Sequence, residues 1–276
     1  MAGTATIQGR TMSADETFPA KLVFVGGAPR SGTTIAHALL CTAPGASPYT
    51  PEISFFAYIV QGYWAGLANW DIHTHGLFAD REGFRGVMAD AARAALAGIW
   101  RHLSEPQMLC LKDPMLTPHF PLLAELLPEA LFVTICRHPH DVVRSRQEVH
   151  EKAGRGDFGY EEVQQVAEEY RNVYQLVFDH DFGERNFIFR YEDMEDAGLQ
   201  ARLAAFVGAS GFDQSRLWVM ADGKKRDTEA SQADPTHSPK YSGGLDLSPR
   251  LDALRPDFQE VVTAICNPIM RPMNYC

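Results

Sequence analysis

Residues 21–40 constrain the fold of this chain more than any other stretch. They read KLVFVGGAPRSGTTIAHALL: an apolar run typical of a buried parallel strand, a turn with three glycines, then a segment of helical character. Glycines in the turn allow backbone angles and close approaches that a Cβ atom would forbid. The free amide groups and the positive dipole end at a helix start attract anions, above all phosphate. The sequence therefore predicts a phosphate-binding loop.

The spacing inside this loop indicates which phosphate it suits. Four residues match the nucleoside-triphosphate pattern G-x-x-x-x-G-K-[ST], except at its lysine: Gly27, Gly32, Thr33 and Thr34. Thr33 replaces that lysine, which argues against ATP or GTP hydrolysis. The cation stands earlier, at Arg30, and this suits a terminal phosphate that carries a group to be transferred. An ordinary tight turn is the alternative, and we favour phosphate because glycines, hydroxyls and a cation coincide.

Composition excludes several classes of protein. The chain has 276 residues and is 45% hydrophobic, enough for one large α/β domain. Its formal net charge of -10 disfavours partners such as nucleic acid or an anionic membrane. An anionic ligand must therefore be held by a local cluster of cations. The five cysteines form no C-x-x-C pair, so we expect reduced thiols rather than disulfides or zinc ligands.

The domain organisation follows from polarity along the chain. Residues 1–19 are small and polar, which predicts a flexible tail before a single domain over residues 20–276. The sequence has no secretory signal and no apolar run long enough to cross a bilayer. We therefore expect a soluble, cytoplasmic protein. The oligomeric state is not readable from the sequence.

Short apolar runs alternate with segments of helical character beyond the first strand and helix. Strands are predicted at 22–25, 108–111, 131–136 and 186–190, and a last helix at about 248–265, interrupted near Pro256. Such alternation predicts an α/β fold: a parallel sheet with helices on both faces. Four polar residues follow strand ends, where such sheets build their sites: Arg30, Lys112, Arg137 and Tyr191.

Arg137 and Ser145 form a candidate second anion site. Arg137 follows a strand, and Ser145 lies eight residues later on the next helix. A guanidinium and a hydroxyl so placed can share one phosphate. The alternative is an ion pair between Arg137 and Asp141, with Ser145 an ordinary helix residue.

These motifs together resemble those of a known family. The segment 29–34 (PRSGTT) and the pair Arg137 and Ser145 are similar to the 5′- and 3′-phosphate motifs of sulfotransferases that use 3′-phosphoadenosine 5′-phosphosulfate (PAPS). Three further segments look like family motifs: EISFF at 52–56, LKDP at 111–114 and RYED at 190–193. Each is weak alone, but the ordered set is specific. It covers residues 21–194, and the last third of the chain matches loosely.

The resemblance implies roles for individual residues. The backbone of Ser31, Gly32, Thr33 and Thr34, with both threonine hydroxyls, would hold the 5′-phosphate of PAPS, and Arg30 would neutralise charge as the sulfuryl group leaves. Arg137 and Ser145 would hold the 3′-phosphate. No metal is required, because cations neutralise the leaving phosphate.

The remaining roles concern catalysis and the adenosine. Glu52 would be the general base, and Lys112 would balance charge on the sulfonate. The alternative for Glu52 is an acidic residue near a helix start, with the adjacent phenylalanines in the core. The alternative for Lys112 is a surface lysine paired with Asp113. Tyr191 would contact PAPS or brace the loop. Lys240 and Tyr241 are weaker candidates for covering the 3′-phosphate or adenine.

The acceptor is predicted only by class. It would bear a hydroxyl, on an aromatic or a sugar, and a small molecule or natural product is favoured. The helical segment at about 55–105 would lie on the acceptor side, although a core helix is the commoner reason for its aromatic stretch. Two other functions stay open. One is a small-molecule or nucleoside kinase, which Thr33 disfavours, and the other is a non-catalytic nucleotide-binding protein.

Overall fold

The computed structural model describes residues 18–220, 223, 247 and 253–275. The predictions for Lys240 and Tyr241 fall outside these residues, as do residues 1–17 of the predicted tail. They stay predictions.

Four parallel strands form one sheet in the order β2-β1-β3-β4. The strands are β1 (Lys21–Gly26), β2 (Met108–Lys112), β3 (Leu131–Cys136) and β4 (Asn186–Arg190), at the predicted positions. Val25 pairs with Lys112, and Cys136 pairs with Arg190. Since all strands run in one direction, their carboxyl ends meet at one edge, and the loop after β1 lies between those after β2 and β3.

Helices connect the strands and cover the sheet. They are α1 (Thr33–Leu40), α2 (Ser54–Ala68), α3 (Arg81–His102), α4 (Phe120–Leu126), α5 (Pro139–Lys152), α6 (Tyr160–Phe178), α7 (Ala197–Val207) and α8 (Pro256–Met270). Short 3₁₀ turns follow β2 at Pro114–His119 and β4 at Tyr191–Asp193. The helices α2 and α3 account for the predicted helical segment at 55–105.

The last helix corrects the sequence prediction. It begins at Pro256 and runs to Met270, so Pro256 does not interrupt it. The amide groups in the first turn of a helix have no acceptor within the helix, so proline loses no hydrogen bond there, and its fixed φ suits that position. The helix also contains Pro268.

Alternation along the strands divides the core between the two faces of the sheet. Leu22, Phe24 and Phe132 are buried in a cluster with α2, α3 and α4. Val23 and Val133 are buried in a second cluster on the other face, with α1 and α7. A third cluster joins α5, α6 and α8. Helices therefore cover both faces, as predicted for the α/β fold.

Two smaller findings concern thiols and membranes. Cys41, Cys110, Cys136 and Cys266 are buried, and no two of these four thiols form a disulfide. Within the described ranges, every helix is too short or too polar to span a bilayer.

Candidate functional site

The loop between β1 and α1 needs glycine at two positions. Gly27 has φ +152°, and a Cβ there would lie 2.3 Å from the carbonyl oxygen of Ile135. Gly32 has φ +93°, and a Cβ there would lie 2.2 Å from Cδ2 of Tyr191. Both angles disfavour residues with a side chain. The loop is therefore pressed against β3 on one side and the turn after β4 on the other.

Two side chains that the sequence analysis did not single out hold this loop. The Gly27 amide donates to Thr117 Oγ1 at 2.8 Å. The Tyr174 hydroxyl accepts from the Ala28 amide at 3.0 Å and lies 2.9 Å from Ser31 Oγ. Burial raises the pKa of Tyr174 well above its usual value, so it stays protonated. Local pattern gave no signal for these contacts, because both partners come from distant parts of the chain.

Ser31 uses its hydroxyl inside the loop. Its side chain is fully buried, and Oγ donates to the carbonyl oxygen of Ala28. The Ser31 hydroxyl is therefore used within the loop, and the backbone of Ser31 is the part left to contact a ligand. Thr33 is also buried, while Thr34 is half-buried at the start of α1.

Arg30 joins the two candidate phosphate sites. Its φ of +76° is unusual for a residue with a side chain, and such strain costs about 1–2 kcal/mol. The Arg30 guanidinium donates through Nε to Ser145 Oγ at 3.1 Å. The Arg30 carbonyl oxygen accepts from Arg137 Nη1 at 3.4 Å. The structure thus brings together Arg30, Arg137 and Ser145, although Arg30 and Ser145 are 115 positions apart in the sequence.

Arg137 is held by aromatic side chains. Its guanidinium lies over the Tyr191 ring, 4.7 Å from the ring centre, and its carbonyl oxygen accepts from the Tyr170 hydroxyl at 2.8 Å. Nε is 3.8 Å from Asp141 Oδ2, a distance of an ion pair but not of a hydrogen bond. Arg137 therefore forms a long ion pair with Asp141, the alternative raised by the sequence, and it also contacts the Arg30 carbonyl oxygen.

Lys112 forms a buried link between the loop and Glu52. Its side chain is 3% exposed, and Nζ lies 2.5 Å from Glu52 Oε1 and 3.1 Å from Thr34 Oγ1. The alternative of a surface lysine is therefore wrong. Asp113 instead caps the following turn, where its Oδ1 accepts from the Met115 amide at 2.8 Å. A buried ammonium needs such partners, because desolvating an unpaired charge is costly.

Glu52 is positioned by the end of β2. The next amide, of Ile53, donates to the carbonyl oxygen of Lys112 at 3.3 Å, and α2 begins at Ser54. The Glu52 side chain is 48% exposed, so a carboxylate anchored by Lys112 also faces solvent. The adjacent phenylalanines divide: Phe56 is buried, whereas Phe55 is 55% exposed. The aromatic stretch therefore supplies both core and surface.

His37 lies near Lys112 in the interior of the protein. It is fully buried, and its Nε2 is 3.1 Å from the carbonyl oxygen of Cys110. Burial, and then the nearby charge of Lys112, lower the pKa of His37 to about 3. The ring is therefore neutral near pH 7. Among the described residues, no three side chains of metal-binding type lie close enough together to hold an ion.

These features define a class of protein: a parallel α/β sheet whose first loop turns at glycines into a helix start of the kind that binds phosphate, with cations from neighbouring strand ends around it. Comparison with known proteins then gives the family. The sequence model of the sulfotransferase family matches residues 23–209, more than half of the chain. This chain belongs to the sulfotransferase family.

Individual relatives agree with that assignment. The chain is 29% identical over 133 residues to a protein-tyrosine sulfotransferase of Drosophila melanogaster, covering 45% of this chain and 24% of that protein. It spans less than half the length of the curated relatives that it matches.

Two solved structures share the fold. A sulfotransferase from Alicyclobacillus acidocaldarius superposes with a TM-score of 0.53 at 16% identity, covering 92% of this chain and 94% of that one. A sulfotransferase from Mycobacterium avium gives 0.51 at 14% identity, covering 92% and 77%. At these identities the likeness concerns the fold alone.

Proposed function

We propose that this protein transfers a sulfuryl group from PAPS to a hydroxyl of an acceptor. The observation that carries the proposal is the junction at Arg30, whose side chain bonds Ser145 while its carbonyl oxygen contacts Arg137. One adenosine with phosphates on the 3′ and 5′ oxygens of its ribose fits two adjoining anion sites. The 5′-phosphate would lie against the backbone of residues 31–34, and the 3′-phosphate against Arg137 and Ser145. Tyr191 packs against Gly32 and Arg137, so its role would be to brace both sites.

The chemistry is an in-line displacement. The acceptor oxygen attacks sulfur and forms the new S–O bond, while the bond from sulfur to the 5′-phosphate oxygen breaks. Its electron pair leaves on adenosine 3′,5′-bisphosphate. Arg30 and Lys112 would stabilise the negative charge that develops on the leaving phosphate and the sulfonate.

Glu52 would take the proton from the acceptor. Its Oε1 accepts from Lys112, so we assign proton acceptance to Oε2. The same ammonium contacts Thr34 Oγ1 at the start of α1, so one cation touches both Glu52 and the loop that would hold the 5′-phosphate. A positioned carboxylate contributes about 10²–10⁴-fold to such a step.

We propose a small molecule or natural product as the acceptor. Phe55 lies three residues after Glu52 in the sequence and is exposed, as is Met115, three residues after Lys112. Exposed apolar side chains this close in sequence to the proposed base and its lysine favour an acceptor with an aromatic or apolar body. The Drosophila relative is named for tyrosine, whose hydroxyl is phenolic.

Two measurements test the proposal. Calorimetry of the purified chain with adenosine 3′,5′-bisphosphate, and separately with ATP and Mg²⁺, should show tight binding of the bisphosphate only. The reverse preference would indicate a kinase and overturn the proposal. Transfer of labelled sulfonate from PAPS to a panel of phenols and sugars then tests catalysis, and binding without transfer to any acceptor would favour a non-catalytic protein.

Two variants test separately the role of Glu52 as general base and the role of Arg137 in binding the 3′-phosphate. Glu52→Gln should lower kcat by about 10²-fold or more and leave the Kd for the bisphosphate within about twofold. Arg137→Ala should raise that Kd by roughly 10- to 100-fold, because a charge-assisted contact to the 3′-phosphate is lost. Full turnover in Glu52→Gln would remove Glu52 from the base role, and an unchanged Kd in Arg137→Ala would remove Arg137 from the anchor.

A further inference from the structure

We infer that Glu192 is a positioning residue, which sets the Arg137 guanidinium for the 3′-phosphate and is itself held by Tyr275. This rests on the proposed function, because it concerns how the bisphosphate is recognised. Glu192 acts through the segment that carries Arg137, because its carboxylate contacts the amide of the next residue, His138.

The Glu192 carboxylate joins two parts of the chain. Its Oε1 accepts from the backbone amide of His138 at 2.9 Å, and its Oε2 accepts from the Tyr275 hydroxyl at 2.7 Å. His138 directly follows Arg137, so one oxygen of Glu192 fixes the turn between β3 and α5. Hydrogen bonds to a charged acceptor are the stronger kind, and this acceptor serves both donors.

Tyr275 belongs to the segment after α8 and packs closely on the same turn. Its ring meets the His138 ring edge-on at 5.1 Å between centres, and the Arg190 guanidinium lies 5.8 Å from its centre. Burial, followed by the charge of Glu192, raises the pKa of Tyr275 well above its ordinary value. The hydroxyl therefore stays a donor over the whole working range of pH.

The short turn Tyr191–Asp193 transmits this restraint to both phosphate sites. Arg190 donates to both carboxylate oxygens of Asp193 at 2.8 and 2.7 Å, which closes the turn around Glu192. Within the turn, the Tyr191 ring packs on Gly32 and under the Arg137 guanidinium. Glu192 thus fixes the backbone beside Arg137, while its neighbour Tyr191 supports the Arg137 side chain from below.

A ratio of two affinities isolates the positioning role. Adenosine 5′-monophosphate lacks the 3′-phosphate, so its Kd divided by that of adenosine 3′,5′-bisphosphate reports how well Arg137 meets that group. Tyr275→Phe keeps the ring and should lower this ratio about 3- to 10-fold. Glu192→Ala removes both hydrogen bonds and should lower it roughly 10-fold or more. Glu192→Gln keeps an acceptor for His138 and should restore most of the ratio.

Tyr160→Phe is the matched control. Tyr160 also donates to a carboxylate at 2.7 Å, that of Asp257, but away from the phosphate sites. Its ratio should stay at the wild-type value. A merely structural loss would weaken both ligands equally and leave the ratio unchanged in Glu192→Ala, which would overturn the inference. An equal fall in Tyr160→Phe would also overturn it.

A failure of the proposed function would give a different result from a failure of the role of Glu192. In that case the wild-type chain itself would show no preference for the bisphosphate over the monophosphate, and both proposals would fall together. A wild-type preference that survives in Glu192→Ala and Tyr275→Phe would instead leave the function standing and refute only the role of Glu192.

Discussion

Replacing Gly32 by alanine should damage both the fold and ligand binding. Alanine at φ +93° costs about 1–2 kcal/mol for the left-handed backbone. The new Cβ would also lie 2.2 Å from the Tyr191 ring, far inside contact distance, so the ring must move. Overpacking of this kind costs roughly 1–3 kcal/mol, and lost contact with Arg137 adds about 0.5–1 kcal/mol. We therefore expect a destabilisation of about 2.5–6 kcal/mol.

Gly154→Ala is the matched control for the backbone contribution. Gly154 has φ +64°, and a Cβ there would meet no atom within 4 Å. Alanine at this position should therefore cost only the strain of the backbone, about 1–2 kcal/mol. The difference in unfolding free energy between the two variants isolates the collision with Tyr191.

Urea unfolding measures this difference, provided that both variants keep the wild-type m-value. Calorimetry with adenosine 3′,5′-bisphosphate supplies the second readout: Gly32→Ala should bind at least tenfold more weakly, and Gly154→Ala should bind normally. Equal destabilisation of the two variants, within about 0.5 kcal/mol, would refute the reasoning from the contact with Tyr191.

Two further predictions concern buried charge. His37 has a folded pKa of about 3 against 6.5, so the unfolded chain binds the proton first as pH falls, and stability is lost from pH 6.5 towards 3. Between pH 7 and pH 4.5, the unfolding free energy of His37→Gln should fall by roughly 2–3 kcal/mol less than that of the wild type, as measured by denaturation at both pH values. An identical fall in both proteins would contradict the lowered pKa of His37. Arg93→Met should cost about 3 kcal/mol in urea, because the mostly buried Glu129 loses its partner. Lys152→Met, from an exposed pair with Glu148, should cost under 1 kcal/mol, and similar costs for both would contradict the burial argument.

The sheet was predictable because its signal is local. Buried parallel strands read as short apolar runs, and each of the four lies where such a run was found. The last helix was predicted less well, because Pro256 was taken as an interruption although it suits the first position of a helix.

The candidate site was predictable only in its composition. Sequence motifs gave Arg30, Lys112 and Arg137, because cations after strand ends stand out against apolar runs. They did not give Thr117 or Tyr174, which support the loop from a turn and a helix far along the chain. Such contacts depend on how helices dock, and no periodicity in either segment encodes them.

The burial of Lys112 shows the same limit. Beside Asp113 and Pro114 a lysine suits a surface position, and its burial depends on the return of the chain at Glu52 and Ile53. That return is a tertiary contact across 60 positions of sequence. The choice between a surface lysine and a buried lysine was therefore decided by topology, which local sequence does not contain.

Strand order explains how a chain of net charge -10 brings cations together at one edge of its sheet. Because β1 lies between β2 and β3, the loop with Arg30 has Lys112 on one side and Arg137 on the other. The cations therefore converge by sheet geometry rather than by composition. On the proposed function, Lys112 would contact the sulfonate end of PAPS, where bonds change, and Arg137 would contact the 3′-phosphate, which only binds. Changes at the β2 side should then act on kcat, and changes at the β3 side on affinity.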